Sequence, residues 1–300
     1  MSAKHGYKWI AARIEELDPQ VDYEEIWKLS TCYYVNDFTM NILYSTGFPH
    51  FMLAPSGGQT ISRGGHGKVI LEHQKRETDT MNHFWKWFEF GPSDLRTQQS
   101  IRQINNLHMK YARQMPGHFA NNDEFVYTMC WIGADMHRLR LRLGLPGYTE
   151  NQQIACQKYW NEIAKFFISE NGDITGFPTT FQGMRDHLDY YENLPWEHSE
   201  EGALACEHLL QQFDERWFKG PLKGLGRTTI LALLDESAHR VHRLPYPSKF
   251  AQWAVMKTMK TIIFTQERIA PDPKLSTPEK KRRAAEKAIE KTALANTAAT

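Results

Sequence analysis

The stretch SIRQINNLHMKYARQM, residues 100–115, has the spacing of an α-helix that is buried along one side. Its apolar residues recur at intervals that place them on one stripe of the helix. They are Ile101, Ile104, Tyr111 and Met115. His108 lies on the same stripe, where an imidazole loses its hydration and needs a partner. The stretch therefore predicts a helix that turns a titratable group inward.

Helical periodicity extends along most of the chain, and the alternation typical of β-strands is nearly absent. Helices are predicted at 21–45, 66–90, 95–115, 122–144, 149–170, 199–218, 227–243 and 247–267. The segments rich in Gly and Pro between them, such as 48–67, are too short or too apolar to separate domains. We expect an all-α fold with a single domain over residues 1–270.

The composition changes after residue 270. Residues 279–300 contain six basic and three acidic side chains and have no apolar stripe. We expect residues 271–300 to be a frayed helix or a disordered, solvated tail, because such a segment buries too little apolar surface to pack. A basic interaction arm is the alternative.

The charges of the chain are almost balanced, with 36 Lys and Arg against 35 Asp and Glu and a net charge of +1 over 300 residues. A balanced chain has no overall field that attracts nucleic acid or an anionic membrane. We therefore expect no nucleic-acid partner. Charged and polar residues also interrupt every apolar run, so no transmembrane segment is predicted.

The four cysteines occur singly and far apart in helical stretches, which indicates reduced core thiols. They are Cys32, Cys130, Cys156 and Cys206. The sequence contains neither a Cys-x-x-Cys zinc pair nor the Cys-x-x-Cys-His of covalent haem attachment. The first twenty residues lack an apolar run of signal-peptide length. We expect a cytoplasmic protein.

A second helix, HQKRETDTMNHFWKWFEFG at 73–91, also carries polar groups on an apolar face. Arg76 and Thr80 are four residues apart, and Phe84, Trp87 and Phe88 continue the same face. A buried guanidinium without a counter-charge is costly, so this face is expected to meet an anion or a polar ligand. An internal ion pair is the alternative. Two adjacent helices of this kind suggest a shared cavity, a common place for a cofactor.

These elements, in their order and spacing, resemble the latex-clearing protein and MpaB-type family of haem oxygenases, whose catalytic domain is also called rubber oxygenase-like. The matching elements are Arg76, Thr80, Phe90-Gly91, Ile101 to His108, Phe119 to Asp123 and Trp131. The similarity covers roughly residues 27–268.

The resemblance implies a single globin-like helical domain around a non-covalent b-type haem (haem b), with His108 as the axial iron ligand. It also implies that Arg76 anchors a propionate or polarises oxygen, and that Thr80 donates a hydrogen bond in the same pocket. The implied function is an O2-dependent oxidation or cleavage of an apolar or aromatic small molecule. Rubber-cleaving members have a lysine at the position of Asp79, and the position of Glu72 matches their catalytic base only loosely. The resemblance therefore does not imply cleavage of polyisoprene.

Other interpretations of the same residues stay open. His108 can be a core histidine bonded to a carbonyl, and the protein can be a non-catalytic haem carrier, a gas sensor or a helical protein without haem. Glu236-x-x-His239 matches half of a helical di-iron motif, but with no second copy it indicates a solvated helix face. Residues 136–144, MHRLRLRLG, are expected to form a basic outer face rather than an anion site.

Overall fold

The computed structural model describes residues 6–298, with side chains up to residue 292, and in this range the chain forms fifteen α-helices joined by short turns. They are α1 (Trp9–Glu16), α2 (Tyr23–Thr31), α3 (Asp37–Phe51), α4 (Pro55–Ser62), α5 (Lys68–Leu71), α6 (His73–Phe90), α7 (Leu95–Ala112), α8 (Asn122–Arg142), α9 (Glu150–Ala164), α10 (Phe181–Glu192), α11 (Glu200–Trp217), α12 (Leu225–Leu233), α13 (Glu236–His242), α14 (Lys249–Phe264) and α15 (Thr277–Ala298).

The remaining regular structure is small. Strands β1 (Ile168–Ser169) and β2 (Gly172–Asp173) form an antiparallel hairpin, a 3-10 turn spans Gly220–Leu222, and a π-helical turn spans Thr265–Ile269. One hydrophobic core extends along the chain from Trp27 to Ile263. The all-α, single-domain expectation is confirmed. No helix between residues 6 and 298 has the length and apolarity needed to cross a bilayer.

The helix α3 lies at the centre of the core and contacts α6, α8, α11, α12 and α13. All residues from Met40 to His50 are buried. A Cβ on Gly47 would lie 2.7 Å from the Trp131 ring, so the missing side chain lets α3 and α8 approach closely.

The segment 48–67 is helical for most of its length, which corrects the expectation of a loop. The helix α3 continues through Pro49 to Phe51, and Pro55 occupies the first turn of α4. Because α3 is buried on all sides, it has no polar face to give a helical period, and proline at the start of a helix costs little. The helix expected over 21–45 is also interrupted, by a turn at residues 32–36.

The helices α6 and α7 pack as an antiparallel pair. Thr97 Oγ1 donates to the Lys86 carbonyl (3.4 Å), and Ser100 Oγ lies 2.6 Å from Nδ1 of His83. Continued along both helices, this register brings Arg76 level with the turn that carries His108. The pair therefore places the polar groups of the two helices at the same end.

Residues 272–282 are attached to the body of the domain. Asp272 accepts hydrogen bonds from the Ile10 amide (2.8 Å) and the Tyr34 hydroxyl (2.6 Å), and its side chain is fully buried. Thr277 N donates to the Cys32 carbonyl (2.8 Å), and Arg282 pairs with Glu89 (2.5 Å).

Packing on the domain therefore continues past residue 270, where the sequence predicts that the domain ends. From Thr277 to Ala298 the segment forms one helix, α15, and its side chains are exposed from residue 280 to residue 292. Residues 299–300 lie outside the described range.

We predict that Asp272→Ala lowers the free energy of unfolding by about 2 to 4 kcal/mol, because it leaves the buried Ile10 amide and the partly buried Tyr34 hydroxyl without an acceptor. Urea denaturation at neutral pH measures the change. Arg283→Ala is the matched control, because Arg283 makes only an exposed pair with Glu279 and should shift stability by less than about 0.5 kcal/mol. Equal effects of the two changes would contradict the docking described here.

Candidate functional site

A cavity of about 600 Å³ lies between α3, α4, α6, α7 and α8, with one side closed by α9. Its walls are rich in aromatic side chains. These are Phe48, Phe51, Phe84, Trp87, Phe119, Phe125, Trp160 and Phe167. Arg76, Thr80 and His108 all line this cavity, so the structure brings together the three residues that the sequence singles out.

His108 lies in the cavity without a hydrogen-bond partner among the described residues. Its ring stacks on Phe119, with centroids 4.7 Å apart and an angle of 26°, and meets Phe125 edge-on at 6.0 Å. Nδ1 is buried, and no donor or acceptor between residues 6 and 292 reaches it. The imidazole is therefore held by aromatic packing alone.

Other buried histidines of the chain do bond backbone carbonyls, as an ordinary core histidine does. The contacts join Nδ1 of His50 to Thr46 O (2.7 Å), Nε2 of His239 to Leu231 O (2.9 Å) and Nε2 of His242 to Pro49 O (2.7 Å). His108 differs from these three in having no carbonyl partner within the described range, although the buried Nδ1 of His208 also lacks a partner there.

Burial, together with the nearby charge of Arg76, lowers the pKa of His108 to about 4. The imidazole is neutral at physiological pH, and a neutral imidazole has a lone pair that a metal ion can use. The surroundings thus favour the form of the side chain that acts as a ligand.

Arg76 has no carboxylate within ion-pair distance among the described residues. Its guanidinium donates to Thr80 Oγ1 and lies 5.1 Å from the centroid of the Phe48 ring. Thr80 Oγ1 donates in turn to the Arg76 carbonyl (2.9 Å). The neighbouring Glu77 pairs with Arg216 instead. The internal ion pair considered from the sequence is therefore not formed, and the cavity contains an uncompensated cation.

Two further histidines line the cavity, but each is engaged by a hydroxyl. Nδ1 of His83 lies 2.6 Å from Ser100 Oγ, and Nδ1 of His118 lies 3.0 Å from Thr60 Oγ1. Burial also lowers the pKa of His83, with smaller contributions from Lys86 and Arg76. His83 and His118 are therefore weaker candidates than His108 for a side chain that binds a metal ion in the cavity.

Several cavity residues were not singled out from the sequence. Arg63 donates to the Tyr111 hydroxyl (2.7 Å) and covers its ring, and Glu124 accepts from Ser56 Oγ (3.1 Å). Burial raises the pKa of Glu124. Glu72, the loose candidate for a base, is exposed, and the carboxylates that line the cavity are Glu124 and Asp79, of which Asp79 pairs with Lys68 (3.4 Å). In the sequence, the only feature that draws attention to Glu124 is its place among the acidic residues in the first turn of α8.

A second polar cluster lies outside the cavity, where His50, Glu192 and Asp235 bring ligand-type atoms within 4.8 Å of one another. Arg138 occupies this cluster: it binds both oxygens of Glu192 (2.7 and 2.6 Å) and reaches Asp235 at 3.2 Å. Arg142 adds a second guanidinium on Asp235. The carboxylates are therefore neutralised by arginine, and the cluster is an ion-pair network rather than a metal site.

This network corrects two expectations. Residues 136–144 do not form a solvated basic face, because Arg138, Arg140 and Arg142 all pair with carboxylates. The Glu236-x-x-His239 segment is solvated only at Glu236, since His239 is buried and bonds two carbonyls.

Comparison with known protein families and with curated proteins finds no match to this chain. The interpretation of the cavity therefore depends on the residues that line it.

We predict that the free energy of unfolding of the haem-free protein falls as the pH is lowered from about 6.5 to about 4. Unfolding returns the pKa of His108 toward its ordinary 6.5, so in this window the unfolded chain binds a proton that the folded chain rejects. In His108→Leu this contribution is lost, and stability should depend less steeply on pH. Denaturation at several pH values measures the slope.

His66→Leu, which changes an exposed histidine, is the control and should keep the slope of the original protein. If His108→Leu keeps that slope too, the buried imidazole does not titrate as described.

Proposed function

We propose that this chain is a b-haem-dependent oxygenase that uses O2 to oxidise or cleave an apolar or aromatic small molecule, with His108 as the axial ligand. The observation that carries the proposal is the combination in one aromatic cavity of an unpartnered neutral imidazole and an unpaired guanidinium. Within the described part of the chain His108 lacks a hydrogen-bond partner and Arg76 lacks a counter-charge, and a haem would supply both.

The cavity fits the chemistry of haem b in three respects. Its volume of about 600 Å³ lies within the usual range for small-molecule sites. Its aromatic walls suit a flat apolar ring, and Arg76 can bind a propionate through the two parallel N–H groups of its guanidinium. His108 supplies a nitrogen ligand on an otherwise apolar helix face.

When bound, haem would supply the one-electron and O2 chemistry that amino-acid side chains lack. The residues of the chain would hold and orient the reactants. Arg76 would bind a carboxylate, burial together with the charge of Arg76 keeps the imidazole of His108 neutral, and the aromatic walls would pack on an apolar ring. Thr80 Oγ1, which donates to the Arg76 carbonyl, can redirect its proton toward a ligand in the cavity.

Glu124 is the candidate for moving a proton within the cavity. Burial raises its pKa, and its Oε1 accepts a hydrogen bond from Ser56 Oγ. A carboxyl group whose pKa is raised toward neutrality can take up and return a proton under working conditions.

A cytoplasmic location is part of the proposal. It is supported by the four cysteines, all of which are free and buried. Free thiols are typical of a reducing compartment.

We predict that the protein, expressed with adequate haem supply, is red and has a Soret band, because an axial imidazole in a dry pocket holds haem b without covalent links. Pyridine haemochrome analysis measures the haem content. A colourless protein without haem would refute the main proposal. Oxygen uptake with apolar and aromatic candidate substrates then separates an oxygenase from a haem carrier or gas sensor.

We predict that His108→Ala removes most of the bound haem while circular dichroism shows nearly unchanged helix content, because the rest of the stripe still packs. His66→Ala, at an exposed position, should keep the haem. If the haem content and spectrum of His108→Ala match the original protein, the ligand is another residue. His83 and His118, which line the cavity, come next, whereas His137 packs elsewhere against Phe181.

We predict that Arg76→Lys weakens haem retention or turnover, because the charge is kept and the planar guanidinium is lost. Arg102→Lys, at an exposed position on α7, should be silent to within about 0.5 kcal/mol of stability. Thr80→Val keeps the shape and removes only the hydroxyl. Lower turnover with full haem content would show that the hydroxyl acts on oxygen or substrate. If neither Arg76→Lys nor Thr80→Val has an effect, Arg76 and Thr80 have only a structural role.

A further inference from the structure

The helix α14 turns large aromatic side chains toward solvent. Phe250 is 75% exposed and Trp253 is 57% exposed, and their rings are stacked with centroids 5.9 Å apart. The other side of the helix packs into the core through Met259 and Ile263. Two stacked aromatic rings left in water form an apolar patch of the kind that marks an interaction surface.

The patch continues along the helix. Helical spacing places Lys257, Thr261 and Phe264 on the same side as Phe250, and all three are exposed. We call this set, with Trp253, the outer face of α14: Phe250, Trp253, Lys257, Thr261 and Phe264. It alternates bulky apolar groups with a lysine over the whole length of the helix.

The charges around the outer face of α14 are mainly positive, with Asp235 and Glu236 the acidic residues between α12 and α14 in the sequence. Residues 237–266 contain five Lys and Arg and no Asp or Glu, and residues 216–234, which include the packed neighbour α12, contain four Lys and Arg and no acid. The next acidic residue, Glu267, is paired with Arg140. The region is therefore basic, although the chain as a whole is almost neutral.

Four exposed lysines of this region have no carboxylate partner among the residues whose side chains are described. They are Lys219, Lys223, Lys249 and Lys257, all of them exposed. Two exposed leucines, Leu222 (52%) and Leu225 (49%), lie between and beside the first two. The free cations thus occur next to apolar groups rather than apart from them.

We propose that the outer face of α14 docks on an anionic lipid bilayer, with the helix lying in the plane of the interface. Trp and Phe side chains suit the headgroup boundary, and unpaired lysines attract acidic lipids. A second copy of the same face is a poorer occupant, because it would bring lysine against lysine. The proposal requires no membrane-spanning helix and is independent of the cavity.

Co-sedimentation with phosphatidylserine–phosphatidylcholine vesicles tests the proposal, with phosphatidylcholine vesicles as the neutral comparison. We expect binding to the anionic vesicles that weakens at high salt. Phe250→Ser combined with Trp253→Ser should weaken binding at least about tenfold. Lys249→Gln and Lys257→Gln should each weaken it about fivefold. Circular dichroism and thermal unfolding verify that each variant is folded.

Leu95→Ser combined with Tyr190→Ser is the matched control, because these side chains are similarly exposed (69% and 58%) on α7 and α10. It should bind vesicles like the original protein. The proposal is overturned if the protein ignores anionic vesicles, or if the control weakens binding as much as the Phe250 and Trp253 pair. It is also overturned if that pair abolishes a dimer seen by light scattering while vesicle binding is unchanged.

Discussion

The turn between α6 and α7 determines where the candidate site lies. Gly91 ends α6 with φ of 74°, and a Cβ at this position would lie 2.6 Å from Cδ of Glu24. Glu24 accepts hydrogen bonds from the amide and the hydroxyl of Ser93, at 2.8 and 2.7 Å. Only glycine fits this close, left-handed turn. A residue without a side chain therefore forms the turn of the antiparallel pair that carries Arg76 and His108 into one cavity.

Two partly buried arginines of the chain have opposite surroundings. Arg138 is surrounded by Glu192 and Asp235, so that its charge is neutralised within the fold. Arg76 lies beside Thr80 and an aromatic ring and has no carboxylate partner among the described residues. A charge left unpaired in an apolar cavity destabilises the empty protein, and binding of an anion relieves that cost. The first arrangement stabilises the fold, and the second favours a ligand.

The sequence predicts the amphipathic helices and the shared position of Arg76, Thr80 and His108, because one side of each helix alternates clearly with a polar side. It fails at residues 48–67, where α3 is buried all round and its proline resembles a helix end. It also misses Arg63 and Glu124. Their place at the cavity depends on how α4 and α8 lie against α7, which is a long-range property that no local pattern contains.

The burial of Asp272 between Ile10 and Tyr34 links the two ends of the described chain. The contact joins residues 262 positions apart, so forming it requires the closure of nearly the whole chain into one loop. Such remote contacts slow folding. During synthesis, the buried amide of Ile10 therefore has no acceptor until Asp272 has been made, and until then the growing chain depends on the helices between these two residues for structure.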